Sequence, residues 1–215
     1  MIDFMHSYTS IIFAGFEWFM RVVKLNLLWL ISCIAGLFIF SFYPVTLAAF
    51  AVADQWVKGN ADVSIWETFK RGFKEKYWRS QALGLLITMG YFILYVDIKL
   101  FISMEGFLLK NILLVILAMI VFLFLTASLY LFPLTIQFDL GLKGTFKTAL
   151  FTGLSYIHWT VINLLGLIGI GFISYRYPAL FLFLTSGSSI LWLTCMHHMV
   201  RRKVEMKYAR LNAGK

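Results

Sequence analysis

Charge is scarce in this chain. Asp, Glu, Lys and Arg make up 13% of its 215 residues, against 61% hydrophobic and 18% aromatic. A soluble domain carries about 25% charged and about 45–50% apolar residues. The composition therefore excludes a water-soluble globule and predicts a small polytopic membrane protein with one membrane domain. Cysteine and proline are scarcer still. The two cysteines, Cys33 and Cys195, both lie inside apolar runs and make neither a disulfide framework nor a zinc site. No Gly-x4-Gly-Lys-Ser/Thr phosphate loop occurs, so the chain is not an ATPase subunit. No nucleophile–base pair or paired carboxylate is readable, and neither enzyme activity nor a cofactor is expected. The first ten residues lack a basic n-region and no small-residue cleavage pattern follows, so a cleavable signal is not expected.

The charge that is present leans one way, to a formal net +9. In a soluble chain that excess would suggest nucleic acid. Here the basic residues sit between apolar runs, and anionic lipid headgroups are the expected partner.

Long apolar runs supply the architecture. Five segments are long enough for a hydrocarbon core of about 30 Å, at roughly 25–43, 80–102, 111–132, 156–174 and 179–200. A ring-Pro-apolar-Thr signal occurs twice, as Tyr43-Pro44-Val45-Thr46 and Phe132-Pro133-Leu134-Thr135. Each copy is followed by the same triplet, Thr68-Phe69-Lys70 and Thr145-Phe146-Lys147, and then by another apolar segment. The pattern predicts an all-α membrane fold with a two-helix parallel repeat, over about 25–102 and 111–174, a final helix at 179–200 and a basic tail at 201–215. Proline removes a donor and ends or kinks a helix, and the following threonine can bond freed carbonyls or cap the next helix. The pair Pro44/Thr46 and Pro133/Thr135 reads either as two membrane-exit kinks or as a hinge where the repeats meet.

Lys and Arg in the connections set topology. If five segments alternate, one face receives fourteen: six within 54–79, two after Pro133 and six in the tail. The other receives five, at Arg21, Lys24, Lys99, Lys110 and Arg176. The tail is then cytoplasmic and the N-terminus outside, with 45–57 an interfacial or partly dipping helix. A sixth, short span at 45–57 would move Arg21 and Lys24 inside.

Residues 64–79 read as an amphipathic interfacial helix with Trp66, Phe69 and Phe73 on one face, opened by a Ser64/Glu67 capping box. This is either a surface anchor or a docking surface for a partner. Gly166 and Gly169 offer close helix contacts. Asp97, near the outer end of the second span, and Asp139, just past the second proline signal, are candidate intramembrane polar groups; both also lie near an interface, where snorkelling is cheap. His197 and His198 are adjacent, about 100° apart on a helix, so one metal site cannot easily use both.

The order of features, from Leu25-Asn26-Leu27-Leu28-Trp29 through Tyr43-Pro44-Val45-Thr46 and Ala48-Ala49 to Trp66-Glu67-Thr68-Phe69, resembles the YesL family of bacterial membrane proteins. Leu47-Ala48-Ala49 stands where the family continues with glycines. That family has no assigned biochemical function, and its genes often sit beside carbohydrate ABC importers. The resemblance implies a cell-membrane protein that is a non-catalytic accessory subunit, binding importer permeases in support of sugar uptake. The alternative is an independent small transporter or ligand sensor. The EAA-and-distal-glycine coupling signature of a permease is missing from 145–155, so the chain is not expected to be the permease itself.

Overall fold

The computed structural model describes the backbone of residues 2–103 and 107–213, with side chains for residue 13, 15–103 and 109–206. Lys207, Arg210 and Lys215 of the basic tail lie outside the described side chains. Helix accounts for 89% of the structure, with no strand among the described residues. Among the described residues, four helices are long and apolar enough to cross a membrane: Gly15–Ala35 within α1 (Ile2–Ala35), α4 (Tyr77–Ser103), Leu109–Gln137 within α5 (Phe107–Gln137), and α7 (Ile157–Arg176). Each turns large apolar side chains outward, among them Met89, Phe92, Val115, Leu165 and Phe172. In water such surface is prohibitive; in hydrocarbon it is neutral. The chain is an all-α, multi-pass membrane protein.

The first apolar segment is not one span over 25–43. α1 ends at Ala35, and a turn at 36–41 leads into α2 (Phe42–Val57). Leu37 and Phe38 take left-handed backbone at φ 57 and φ 50, which lets the Phe38 amide bond the Cys33 carbonyl at 2.9 Å. A left-handed residue closes a helix in this way, usually as glycine. With side chains it costs about 1–2 kcal/mol per residue. α1 and α2 form an antiparallel hairpin: Trp18 packs edge-on to Trp56, Trp29 Nε1 donates to Thr46 Oγ1 at 3.1 Å, and Ser41 Oγ donates to the Cys33 carbonyl at 3.1 Å.

The hairpin corrects two expectations. Residues 45–57 are not a surface helix. α2 is the most enclosed element, with Val45, Ala48, Val52 and Ala53 fully buried against α1, α5 and the long last helix. A helix rich in alanine and apolar all round has no wet face to offer an interface. Arg21 also does not lie opposite residues 54–79: its guanidinium pairs with Asp62 at 3.4 Å, at the end where Trp18 meets Trp56.

Neither proline stops a helix. Pro44 lies in the first turn of α2, where a missing N–H is no loss. Pro133 lies inside α5, which continues to Gln137. Their threonines behave alike, each donating to the carbonyl four residues back: Thr46 to Phe42 at 2.6 Å and Thr135 to Leu131 at 2.7 Å. These are not the carbonyls that the prolines free.

Two short helices follow the proline signals, α3 (Ile65–Glu75) and α6 (Leu142–Ser155). The Ser64 hydroxyl caps α3 by accepting from the Glu67 amide at 3.4 Å. α3 stops at Glu75, so Tyr77, Trp78 and Arg79 begin α4 rather than completing an interfacial helix. Each short helix packs on its neighbour through glycine. A Cβ at Gly72 would stand 3.1 Å from Ala51 on α2, and one at Gly153 would stand 2.1 Å from Thr126 on α5. The rings of the two proline signals, Tyr43 and Phe132, stack with centroids 6.3 Å apart.

The last segment is broken. α8 (Pro178–Phe183) ends at Leu184, and α9 restarts at Thr185 and runs to Ala213. Asn26, buried on α1, splints the break. Its Nδ2 donates to the Leu182 carbonyl at 2.6 Å and its Oδ1 accepts from the Gly187 amide at 2.9 Å. Backbone groups freed away from water need such partners.

Candidate functional site

The carboxylate that matters most sits at the end of α2. Asp54 follows the seven-residue apolar run 47–53 and is only 3% exposed. Lys58, one turn on, places Nζ 2.5 Å from Asp54 Oδ2. His198 of α9 places Nε2 2.8 Å from Oδ1, and Gln137, the last residue of α5, donates Nε2 to the same oxygen at 3.2 Å. Gln137 Oε1 in turn meets His197 Nε2 at 3.1 Å and accepts from Arg201 at 3.4 Å. Three helices are thereby tied at one end by a single charged knot. Burial would raise the Asp54 carboxyl pKa; hydrogen bonds and charge from Lys58 and His198 outweigh it and hold the group below the ordinary carboxylate range.

A cavity of about 180 Å³ opens beside the knot, between α2 and α3, lined by Asp54, Lys58, Arg71, Glu75 and Lys76 among others. Lys76 reaches across to donate to the Thr135 carbonyl at 2.6 Å. Burial, then the charge of Arg79, pushes the Lys76 ammonium below its ordinary range. Among the described residues, seven buried side-chain polar atoms have no partner, and His197 Nδ1 and Asn163 Oδ1 are two of them. Asn163 Nδ2 lies 3.5 Å from the Tyr130 hydroxyl, which is 3.2 Å from Thr160 Oγ1. The arrangement can hold charge and position helices. His197 and His198 both reach Gln137, and His198 alone reaches Asp54.

The sequence-derived candidates divide. Trp66 is 60% exposed on α3, but Phe69 is 4% exposed and part of the core beneath it. Phe73 packs against that core and edge-on to Tyr77. Phe69 is therefore a structural residue and not a docking one. Gly166 is covered from within by the Trp192 indole, whereas a Cβ at Gly169 would meet nothing within 4 Å. Asp139 lies outside the candidate spanning helices, in the connection after α5, where its side chain is 92% exposed and pairs with Arg79. Asp97 is partly buried near the far end of α4, about 30 Å from Arg79 at 1.5 Å per residue, and is not part of the knot. Asp54, Gln137 and Asn26 were not singled out from sequence. A lone carboxylate closing an apolar run with a lysine at i+4 was the available signal for Asp54.

A family model described as "Protein of unknown function, DUF624" matches residues 22–98, which run from the second half of α1 through most of α4. The Bacillus subtilis (strain 168) protein named "Uncharacterized protein YesL" is 29% identical over 197 residues, 92% of each chain. "Uncharacterized protein YteU" of the same organism is 35% identical over 145 residues, 67% of this chain and 64% of its own. "Uncharacterized protein YesV" is 28% identical over 172 residues, 80% of this chain and 82% of its own. No solved structure matches.

Proposed function

The chain belongs to the YesL family of bacterial membrane proteins, and from that premise we propose that it works by contact, as a non-catalytic accessory subunit of a carbohydrate ABC importer. The importer comes from the family resemblance, through the neighbourhood of its genes. The observation that supports contact is a rigidly presented aromatic surface. Trp66 on α3 and Trp78 at the start of α4 are 60% and 82% exposed. The chain is pinned between them by Lys76 to α5 and just after Trp78 by Arg79 to Asp139. Exposed tryptophans on a fixed backbone bind with little ordering cost and are frequent hot spots. Gly169 adds an open site where a partner helix can approach closely.

The test is recovery of permease subunits with the tagged protein from mild detergent. Trp66→Ala with Trp78→Ala should leave folding intact and lower recovery by about tenfold or more, since a hot-spot tryptophan contributes about 2 kcal/mol or more. Undiminished recovery would remove this surface from the reading. The second reading, an independent transporter or ligand sensor, is favoured by the buried Asp54 knot and the orphaned His197 and Asn163 atoms, since ionisable groups inside a membrane bundle mark ligand or proton sites.

We place the protein in the cell membrane with α9 ending in the cytoplasm. The α1–α2 hairpin returns Arg21 and Lys24 to the basic face, so the Lys/Arg asymmetry becomes sixteen to three. With the native cysteines replaced, Glu17→Cys and Lys203→Cys are expected to react with an impermeant maleimide only after lysis, and Lys99→Cys in intact cells. Reaction of Lys203→Cys in intact cells would invert the topology. Reaction of Glu17→Cys alone would return the N-terminal stretch to the outside.

A further inference from the structure

A second cavity, about 320 Å³, lies between the end of α1, the 36–41 turn and α3. Its walls are largely apolar, formed by Ala35, Gly36, Trp66, Phe69 and Phe73, and Lys70 is the charged residue among its lining. It is shaped by the left-handed pair Leu37 and Phe38 and by the close approach of Gly36 to Ser41, where any Cβ at 36 would lie 2.3 Å from Ser41 Cβ. Strain persists where the surrounding structure enforces it. The adjoining turn turns Leu37, Ile39 and Phe40 outward, 60–77% exposed.

Charge defines the occupant. Among the described residues, every ion pair involves side chains other than Lys70, Arg71 and Lys74. Lys70 thus stands without an ion-pair partner in the wall of an apolar cavity that opens next to hydrocarbon-facing side chains, while Arg71 lines the polar cavity beside Asp54. Apolar walls alone would suit any acyl chain, and cations alone would suit any anion; their juxtaposition suits one amphiphile. We infer that this cavity is a binding site for a single anionic phospholipid, an acyl chain between α1 and α3 and its phosphate on Lys70. The lipid fills the space under α3 and fixes the helix that carries Trp66.

Native mass spectrometry of the full chain released from nanodiscs tests this. From phosphatidylglycerol discs, one lipid should be retained per protein; from phosphatidylcholine discs, several-fold less. Lys70→Glu should lower phosphatidylglycerol retention by about fivefold or more, following about 1 kcal/mol per basic residue at an anionic surface, and Lys70→Arg should preserve it. Ala35→Trp, which fills the cavity from the exposed end of α1, should abolish retention of both lipids. Circular dichroism of each variant separates lost binding from lost fold. Equal retention of the two lipids, or retention indifferent to both Lys70→Glu and a folded Ala35→Trp, would overturn the assignment.

Discussion

Asp54→Ala is expected to destabilise the protein by about 2–4 kcal/mol, the cost of breaking a buried pair discounted for the partly exposed Lys58. Removing the carboxylate leaves the His198 imidazole and the Gln137 amide facing each other without the oxygen that both contact, at the point where α2, α5 and α9 converge. In a chain of this size each kcal/mol corresponds to about 2–4 °C, so the melting temperature in detergent should fall by about 5–15 °C. Asp54→Asn, which keeps one acceptor oxygen for Gln137 and His198 but loses the charge and the oxygen that Lys58 contacts, should fall between wild type and alanine. Asp97→Ala, away from the knot, should melt like wild type. The sign of the pH dependence follows from the depressed pKa. The contribution of Asp54 is present above the unfolded carboxyl value of about 3.9 and is lost as pH falls through the folded one. Asp54→Ala melting like wild type at neutral pH would show that the knot does not hold the helices.

Gly84→Leu carries the second large effect. A Cβ at Gly84 would lie 2.0 Å from the base of the Tyr43 ring. That ring cannot easily move: it stacks on Phe132 and its hydroxyl bonds Thr88. Lipid gives helices no hydrophobic reason to associate, so close packing at small residues holds α4 to α2. Overpacking costs about 1–3 kcal/mol for a few methylenes. Gly84→Ala should therefore lower the melting temperature by several degrees, and Gly84→Leu should leave no monodisperse protein. Gly169→Leu, where space is open, should fold normally. A Gly84→Leu protein that is recovered with wild-type melting would mean that α4 is not packed as described.

These two residues show what the sequence could and could not carry. Spans α4, α5 and α7 were legible because length and hydropathy decide whether a helix can cross, and their observed ends lie within a few residues of the expected ones. α2 was not legible. A largely apolar helix of 16 residues reads the same whether it lies at an interface or at the centre of a bundle, and only its neighbours distinguish the two. The proline signals were visible, but their mechanics depend on helix register: Pro44 falls in a first turn and Pro133 falls inside a helix that does not stop. Of the site, the exposed Trp66 was readable from amphipathicity. Phe69, on the same helix, packs under α3 because α2 offers alanines there. The Asp54 knot joins residues 83 and 144 positions apart, a distance no local pattern spans. The resemblance motifs Leu25–Trp29 and Pro44–Thr46 gained a physical basis, since Trp29 bonds Thr46 and Asn26 splints the break between α8 and α9.

The central claim is that this protein acts by binding an importer. Its most direct test is to purify the tagged full chain gently from its own host growing on complex carbohydrate and to identify by mass spectrometry what accompanies it. The permease subunits of a carbohydrate ABC importer are the expected companions, in amounts that Gly169→Leu reduces without changing the melting temperature. Absence of any permease, together with sugar uptake that is unchanged when the gene is deleted, would contradict the claim and leave the Asp54 knot as the centre of an independent transporter or sensor.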